Sequence, residues 1–206
     1  FAETLRKNFT HKVVTEDIAS MEVLKQDRPD VMAFTYPCKK YSPVAALHGQ
    51  RTGDELYLHA LRHVAVMRPE VYVLENVPGM RKFPVVMEAM SKLPDYYVHI
   101  FCPLDANLWL PQNRARLILF GTRKPFVPRH PAPKKRVKLR DIIEKDAAVS
   151  IPDYVYDRIN GKYRDLPIVS DPAKDDLAPT CVAHYGKDKS TRLVVDKAFP
   201  KGVRPY

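Results

Sequence analysis

The chain has 206 residues, 45% of them hydrophobic, and carries 34 Lys and Arg against 24 Asp and Glu, a formal net charge of +10 with a pI near 9.5. That length and composition allow one sizeable hydrophobic core with a smaller appended lobe and exclude a disordered chain. No run approaches the roughly 18 apolar residues of a membrane span, and "FAETLRKNFTHK" lacks the apolar core of a signal peptide, so the expected address is intracellular.

Taken in chain order, apolar runs of strand length alternate with helical patterns, which predicts an α/β fold with a mostly parallel sheet and crossover helices. "HKVVTEDI" and "DVMAFTYP" read as strands flanking a short helix from Ala19 to about Gln26. After a loop following Cys38, "DELYLHALRHVAVMRPE" has apolar residues at Leu56, Leu58, Leu61, Val64, Ala65 and Met67, near helical spacing, and must end before Pro69. A buried strand "VYVLENV" follows, then a helix around Val85 to Leu93, a strand "YYVHIFCPL" and a strand "ARLILFGT". The segment Arg123 to Arg140, "RKPFVPRHPAPKKRVKLR", contains no acidic residue and four prolines, so it reads as an extended basic linker that marks a boundary. Beyond it, "VKLRDIIEK" predicts a short helix, and "APTCVAHYG" and "TRLVVD" predict strands of a smaller lobe.

The positive balance points to a polyanionic partner. Cys38, Cys102 and Cys181 lie far apart without a CxxC pair, which argues for free thiols and against a disulfide framework or a zinc site. Cys38 is placed where a predicted strand ends, beside Lys39 and Lys40, and neighbouring cations favour the nucleophilic thiolate. Glu75 lies in or just after an apolar strand, where a carboxyl without a partner resists ionisation and can serve as a proton donor; a carboxylate bonded to loop amides is the alternative. Arg114 and Arg116 alternate just before or on the last strand of the first region, so they share a face and could grip phosphate or carbonyl oxygens.

Together these clusters resemble the C5-cytosine DNA methyltransferases. "PCKKYS" is similar to that family's proline-cysteine nucleophile motif, "ENVPGM" to its glutamate-asparagine-valine motif, and "LDANLWLPQNRARLILFG" to its glutamine-x-arginine-x-arginine block. "LAPTCVAHYGKD" resembles the segment after the target recognition domain. The resemblance implies a Rossmann-like S-adenosylmethionine-dependent methyltransferase sheet over residues 1–124, a small mixed target recognition lobe over 125–196, and a return to the catalytic domain at 197–206. It implies double-stranded DNA as partner, methyl transfer to C5 of a flipped cytosine, and a nuclear, cytoplasmic or nucleoid location according to host, with restriction-modification as one setting. In that scheme Cys38 adds to C6, Glu75 serves N3, Arg116 holds O2, and Arg114 braces the loop or a phosphate. Asp17, Ile18, Pro37 and Leu56 would bind the cofactor, and Lys39, Lys40, Ser42 and Arg51 the nucleic acid. No metal is implied.

The sequence departs from the family pattern at Thr35, Tyr36, Lys39 and Asp105. The family's glycine-rich cofactor loop and the acidic ribose ligand are not found in it, and "KGVRPY" stops where the family's next arginine-rich helix begins. A fragment of a larger enzyme, or a subunit completed by a complementary chain, is therefore expected. A tRNA cytosine-5 methyltransferase of the same fold and an inactive DNA-binding relative are the alternatives. A cysteine hydrolase pairing Cys38 with His48, His59 or His63 leaves Glu75 and the arginines without a role.

Overall fold

A computed structural model describes residues 2–38, 41, 56–133, 136–144, 153–154, 157, 169–180, 193–199 and 202–205. The chain divides into two units, Phe1–Pro103 with Arg116–Arg129, and Leu104–Ala115 with His130–Tyr206.

The first unit is organised by a sheet of β1 (Val31–Phe34), β2 (Val71–Asn76), β3 (Tyr97–Asp105) and β4 (Ala115–Thr122), in the order β1-β2-β4-β3. β1 and β2 pair in parallel, Phe34 against Leu74. Helix α2 (Leu56–Met67) lies between them in sequence, following the short helix α1 (Ala2–Asn8). β4 runs antiparallel to β2, so the sheet is mixed rather than mostly parallel. The reason is the connection after β3, which holds only a 3-10 turn at Ala106–Leu108 and is too short for the crossover that parallel strands need.

Alternation along β2 and β4 turns Tyr72, Leu74, Leu117 and Leu119 to one face, where they are fully buried. On that face pack Ala60 and Val64 of α2 and Val86 and Met90 of α3 (Pro84–Ser91). The buried stripe of α2, Ala60, His63, Val64 and Met67, has the spacing of one helix face. The Tyr72 hydroxyl donates to the Met90 carbonyl at 2.6 Å, and burial pushes its phenol well above the ordinary tyrosine value. The Tyr72 ring lies where a side chain at position 121 would stand: a Cβ on Gly121 would meet it at 2.1 Å.

Two expected elements are replaced. Residues 11–18 form no strand, and Val14 is 45% exposed with no ladder partner among the described residues. The helix expected from Ala19 to Gln26 contracts to a 3-10 turn at Val23–Lys25. Ahead of it, Asp17 Oδ1 accepts from Ala19 N at 2.9 Å and the Asp17 carbonyl accepts from Ser20 N and Met21 N, an N-cap-like start that closes one turn and is not continued as a helix.

The second unit contains helix α4 (Leu139–Ile142) and a sheet of β5 (Val169–Ser170), β6 (Leu193–Val195) and β7 (Val203–Pro205). β5 and β6 are parallel, β6 and β7 antiparallel. "TRLVVD" thus supplies a strand. Of "APTCVAHYG", Ala178 makes an isolated parallel bridge with Gln112, and the part beyond Thr180 lies outside the described residues. No described helix is long and apolar enough to cross a membrane.

Candidate active site

Parallel pairing of β1 with β2 brings their carboxyl ends side by side, and Cys38 and Glu75 both belong to that end. Cys38 is half-buried, and its carbonyl accepts from Tyr41 N at 2.9 Å, closing a turn. Tyr41 is 4% exposed and packs edge-on to Phe83 with ring centroids 5.0 Å apart, so an aromatic side chain anchors the turn to the core. Asn76, 2% exposed, donates from Nδ2 to the Tyr36 carbonyl at 3.3 Å and accepts from Val77 N at 2.9 Å. The strand end bearing the thiol is therefore tied to the strand end bearing the carboxyl. Gly79 completes the contact: a Cβ there would stand 2.1 Å from the Tyr41 carbonyl oxygen.

Glu75 faces away from the helix-covered side of the sheet. It opposes Ile118, and Arg116 is its diagonal neighbour on β4. Arg116 Nε lies 2.6 Å from Glu75 Oε1, with side-chain exposures of 18% and 34%. The isolated, desolvated carboxyl expected from the apolar strand is thus corrected to a partly exposed, ion-paired one. The cause is tertiary, since β4 inserts beside β2.

Ile18, Pro37 and Leu56 share one cavity of about 300 Å³ with Ala33, Phe34 and Ala60. Its lining is largely apolar, completed by Thr35 and Tyr36. Asp17, next in the chain to Ile18, is exposed, with Oδ1 occupied by Ala19 N. Arg62 holds this region to α2 by donating from one nitrogen to the carbonyls of Ile18 at 2.8 Å and Met21 at 2.9 Å. Arg114 belongs to the second unit, where its backbone N–H donates to Asp105 Oδ1 at 2.7 Å. Lys39, Lys40, Ser42, Arg51, His48 and Cys181 lie outside the described residues.

Cys102 packs against the core of the first unit, and His63 is buried in it. Burial pushes the Cys102 thiol above its ordinary value, only partly opposed by Arg81. His63 is 6% exposed in the core, with Nδ1 2.7 Å from the His59 carbonyl on its own helix.

This arrangement of thiol, ion-paired carboxyl and apolar cavity meets a family model, "C-5 cytosine-specific DNA methylase", that matches residues 1–202. The chain belongs to this family. Among curated methylases, the type II methyltransferase M.NgoFVII of Neisseria gonorrhoeae is 30% identical over 143 residues, covering 64% of this chain and 38% of that one. M.SsoII of Shigella sonnei is 26% identical over 210 residues, covering 88% of this chain and 54% of its own length. The chain thus spans about half or less of the length of these methylases. Among solved structures, the Entamoeba histolytica methyltransferase EhMeth superposes with a TM-score of 0.73 at 16% identity, over 100% of this chain and 71% of that one. A Spodoptera frugiperda DNMT2 mutant gives 0.66 at 16% identity, over 94% and 63%. Both share the methyltransferase fold.

Within the methylase motifs, sequence reasoning assigned no role to Asn76, Gly79 or Tyr41, although all three lie inside the quoted stretches. Arg62 had no signal at all, because its acceptors are more than 40 positions away.

Proposed function

We propose that the chain is the nucleophile-bearing part of a DNA (cytosine-5)-methyltransferase, with residues 1–124 forming the catalytic region and 125–196 contacting the target site. The arrangement that carries this reading is Cys38 at the end of β1, next to an end of β2 where Glu75 is paired with Arg116 at 2.6 Å.

Cytosine C5 is a poor nucleophile. Addition of the Cys38 thiolate forms an S–C6 bond, breaks the C5=C6 π bond and makes C5 electron-rich. Glu75, held in place by Arg116, shares a proton with ring N3, while the guanidinium donates toward O2 and offsets the charge that addition drives into the ring. After C5 is methylated, its proton passes to water, the C5=C6 bond re-forms and the S–C6 bond breaks, returning the thiolate. The target base must leave the duplex stack for C6 to meet the sulfur. S-adenosylmethionine, when bound, supplies the electrophilic methyl. Ile18, Pro37 and Leu56 would hold its adenine face, and Asp17 would accept from the adenine amine.

The test uses the full-length protein with duplex DNA containing 5-fluorocytosine and S-adenosylmethionine, because fluorine blocks the final elimination. A denaturant-resistant protein–DNA complex is expected, and Cys38→Ser should form none. Trapping that survives the substitution overturns the assignment. Parallel methyl transfer to genomic DNA and to total tRNA decides the substrate: label in tRNA alone moves the activity to RNA.

A further inference from the structure

The segment that carries Arg114 is held from two sides inside the second unit. On one side, Asp105 Oδ1 accepts the backbone N–H of Asn107 at 3.1 Å and that of Arg114 at 2.7 Å. The Arg114 carbonyl accepts from Ala106 N at 3.3 Å. On the other side, Ala178 N donates to the Pro111 carbonyl and Asn113 N to the Ala178 carbonyl, both at 2.8 Å. The Thr180 hydroxyl donates to the Asn113 carbonyl at 2.7 Å. Every backbone polar group of Asn113 and Arg114 is thereby engaged, although neither residue is in a helix or strand. The Arg114 side chain, by contrast, is exposed, and no hydrogen bond or ion pair engages its guanidinium among the described residues.

Irregular backbone this thoroughly bonded has its entropy removed before any ligand arrives. A guanidinium carried on such a backbone starts from a fixed Cα, and its planar donor fork suits a phosphate. We infer that Asp105 and Thr180 are positioning residues that preset the Arg114 backbone so that its guanidinium meets one phosphate of the nucleic acid. The inference rests on the nucleic-acid substrate proposed above and assigns two residues outside the reaction chemistry. Asp105 acts as an oxygen acceptor, so its charge is dispensable and its oxygen is not.

The test measures affinity of the full-length protein for duplex DNA across a salt series. Arg114→Ala should weaken binding about tenfold and reduce the log–log salt slope by about 0.9, the value of one phosphate contact. Asp105→Ala should reproduce most of both effects, whereas Asp105→Asn, which makes the same charge change but keeps the oxygen, should stay within about twofold of wild type. The Arg114→Ala, Asp105→Ala double variant should bind no more weakly than Arg114→Ala alone. Thr180→Val, which deletes one bond without altering shape, should weaken binding about two- to threefold and serves if Asp105→Ala does not fold. Equal binding by the two Asp105 variants, or additivity with Arg114→Ala, overturns the inference. Because the readout is affinity, a protein that passes this test yet forms no 5-fluorocytosine adduct would sink the proposed reaction and leave the positioning role standing.

Discussion

At Gly79 the lack of a Cβ lets the turn that begins at Cys38 keep its place. A Cβ would stand 2.1 Å from the Tyr41 carbonyl, a backbone atom that cannot swing aside as a side-chain tip can. Gly79→Ala must therefore move the turn that closes on the Cys38 carbonyl. Turnover should fall by about a hundredfold, since misplacement on the order of 1 Å has that effect on a reacting group. Cofactor affinity should hold, because Gly79 does not line the cavity of Ile18 and Leu56. Single-turnover rates and calorimetry on the full-length protein check both halves, and wild-type turnover would mean that the turn does not position the sulfur. Cys38 and Glu75 were legible as residue types set at strand ends. That Glu75 is ion-paired was not, because Arg116 reaches it across a strand pairing which the sequence does not display.

Among the elements, α2 both covers the sheet and anchors the cavity wall. Its buried stripe packs on the core, while Arg62 reaches the Ile18 and Met21 carbonyls. Arg62→Met keeps the aliphatic stem and deletes both bonds. The turn from Ile18 to Met21 should then loosen, weakening S-adenosylmethionine binding about tenfold at a stability cost of about 1–3 kcal/mol. Isothermal titration and urea unfolding separate the two effects, and unchanged affinity would remove Arg62 from the site. The strands at 71–77 and 115–122 and the helix near 85–93 were readable because long apolar runs and helical spacing carry them. Residues 11–18 were misread as a strand. The β-branched run Val13–Thr15 has no ladder partner among the described residues, and a strand needs a neighbour as well as propensity.

For the whole molecule, the second unit depends on a buried charge. Arg204 is 1% exposed, with Nε 2.7 Å from Asp196 Oδ2, its guanidinium 5.6 Å from the Phe199 ring, and a further donation to the Glu144 carbonyl. The Arg204 hydrogen bond, with a second from Ala198 N, holds the Asp196 carboxyl below the usual carboxylate range. A depressed folded pKa contributes stability that is complete above the unfolded value of about 3.9 and is lost as pH falls through the folded value. Asp196→Asn should remove that acid-side dependence and, by taking the Asp196 charge away from the buried Arg204 guanidinium, cost about 2 kcal/mol at neutral pH. The chain's one tryptophan, Trp109, belongs to this unit and reports its unfolding by fluorescence. A variant with unchanged pH dependence would place the acid sensitivity elsewhere. Across these scales, the sequence by itself determined the alternation of helix and strand, the positions of Cys38 and Glu75 at strand ends, and the family, because periodicity and local motifs are written in neighbouring residues. Only the tertiary structure decided that β4 enters antiparallel between β2 and β3, that Arg116 pairs with Glu75, that Gly79 closes on the Tyr41 carbonyl and that Arg62 reaches the carbonyls of Ile18 and Met21. Those contacts join residues far apart in the chain, and their bonds are made largely with backbone groups, which every residue carries and no sequence pattern distinguishes.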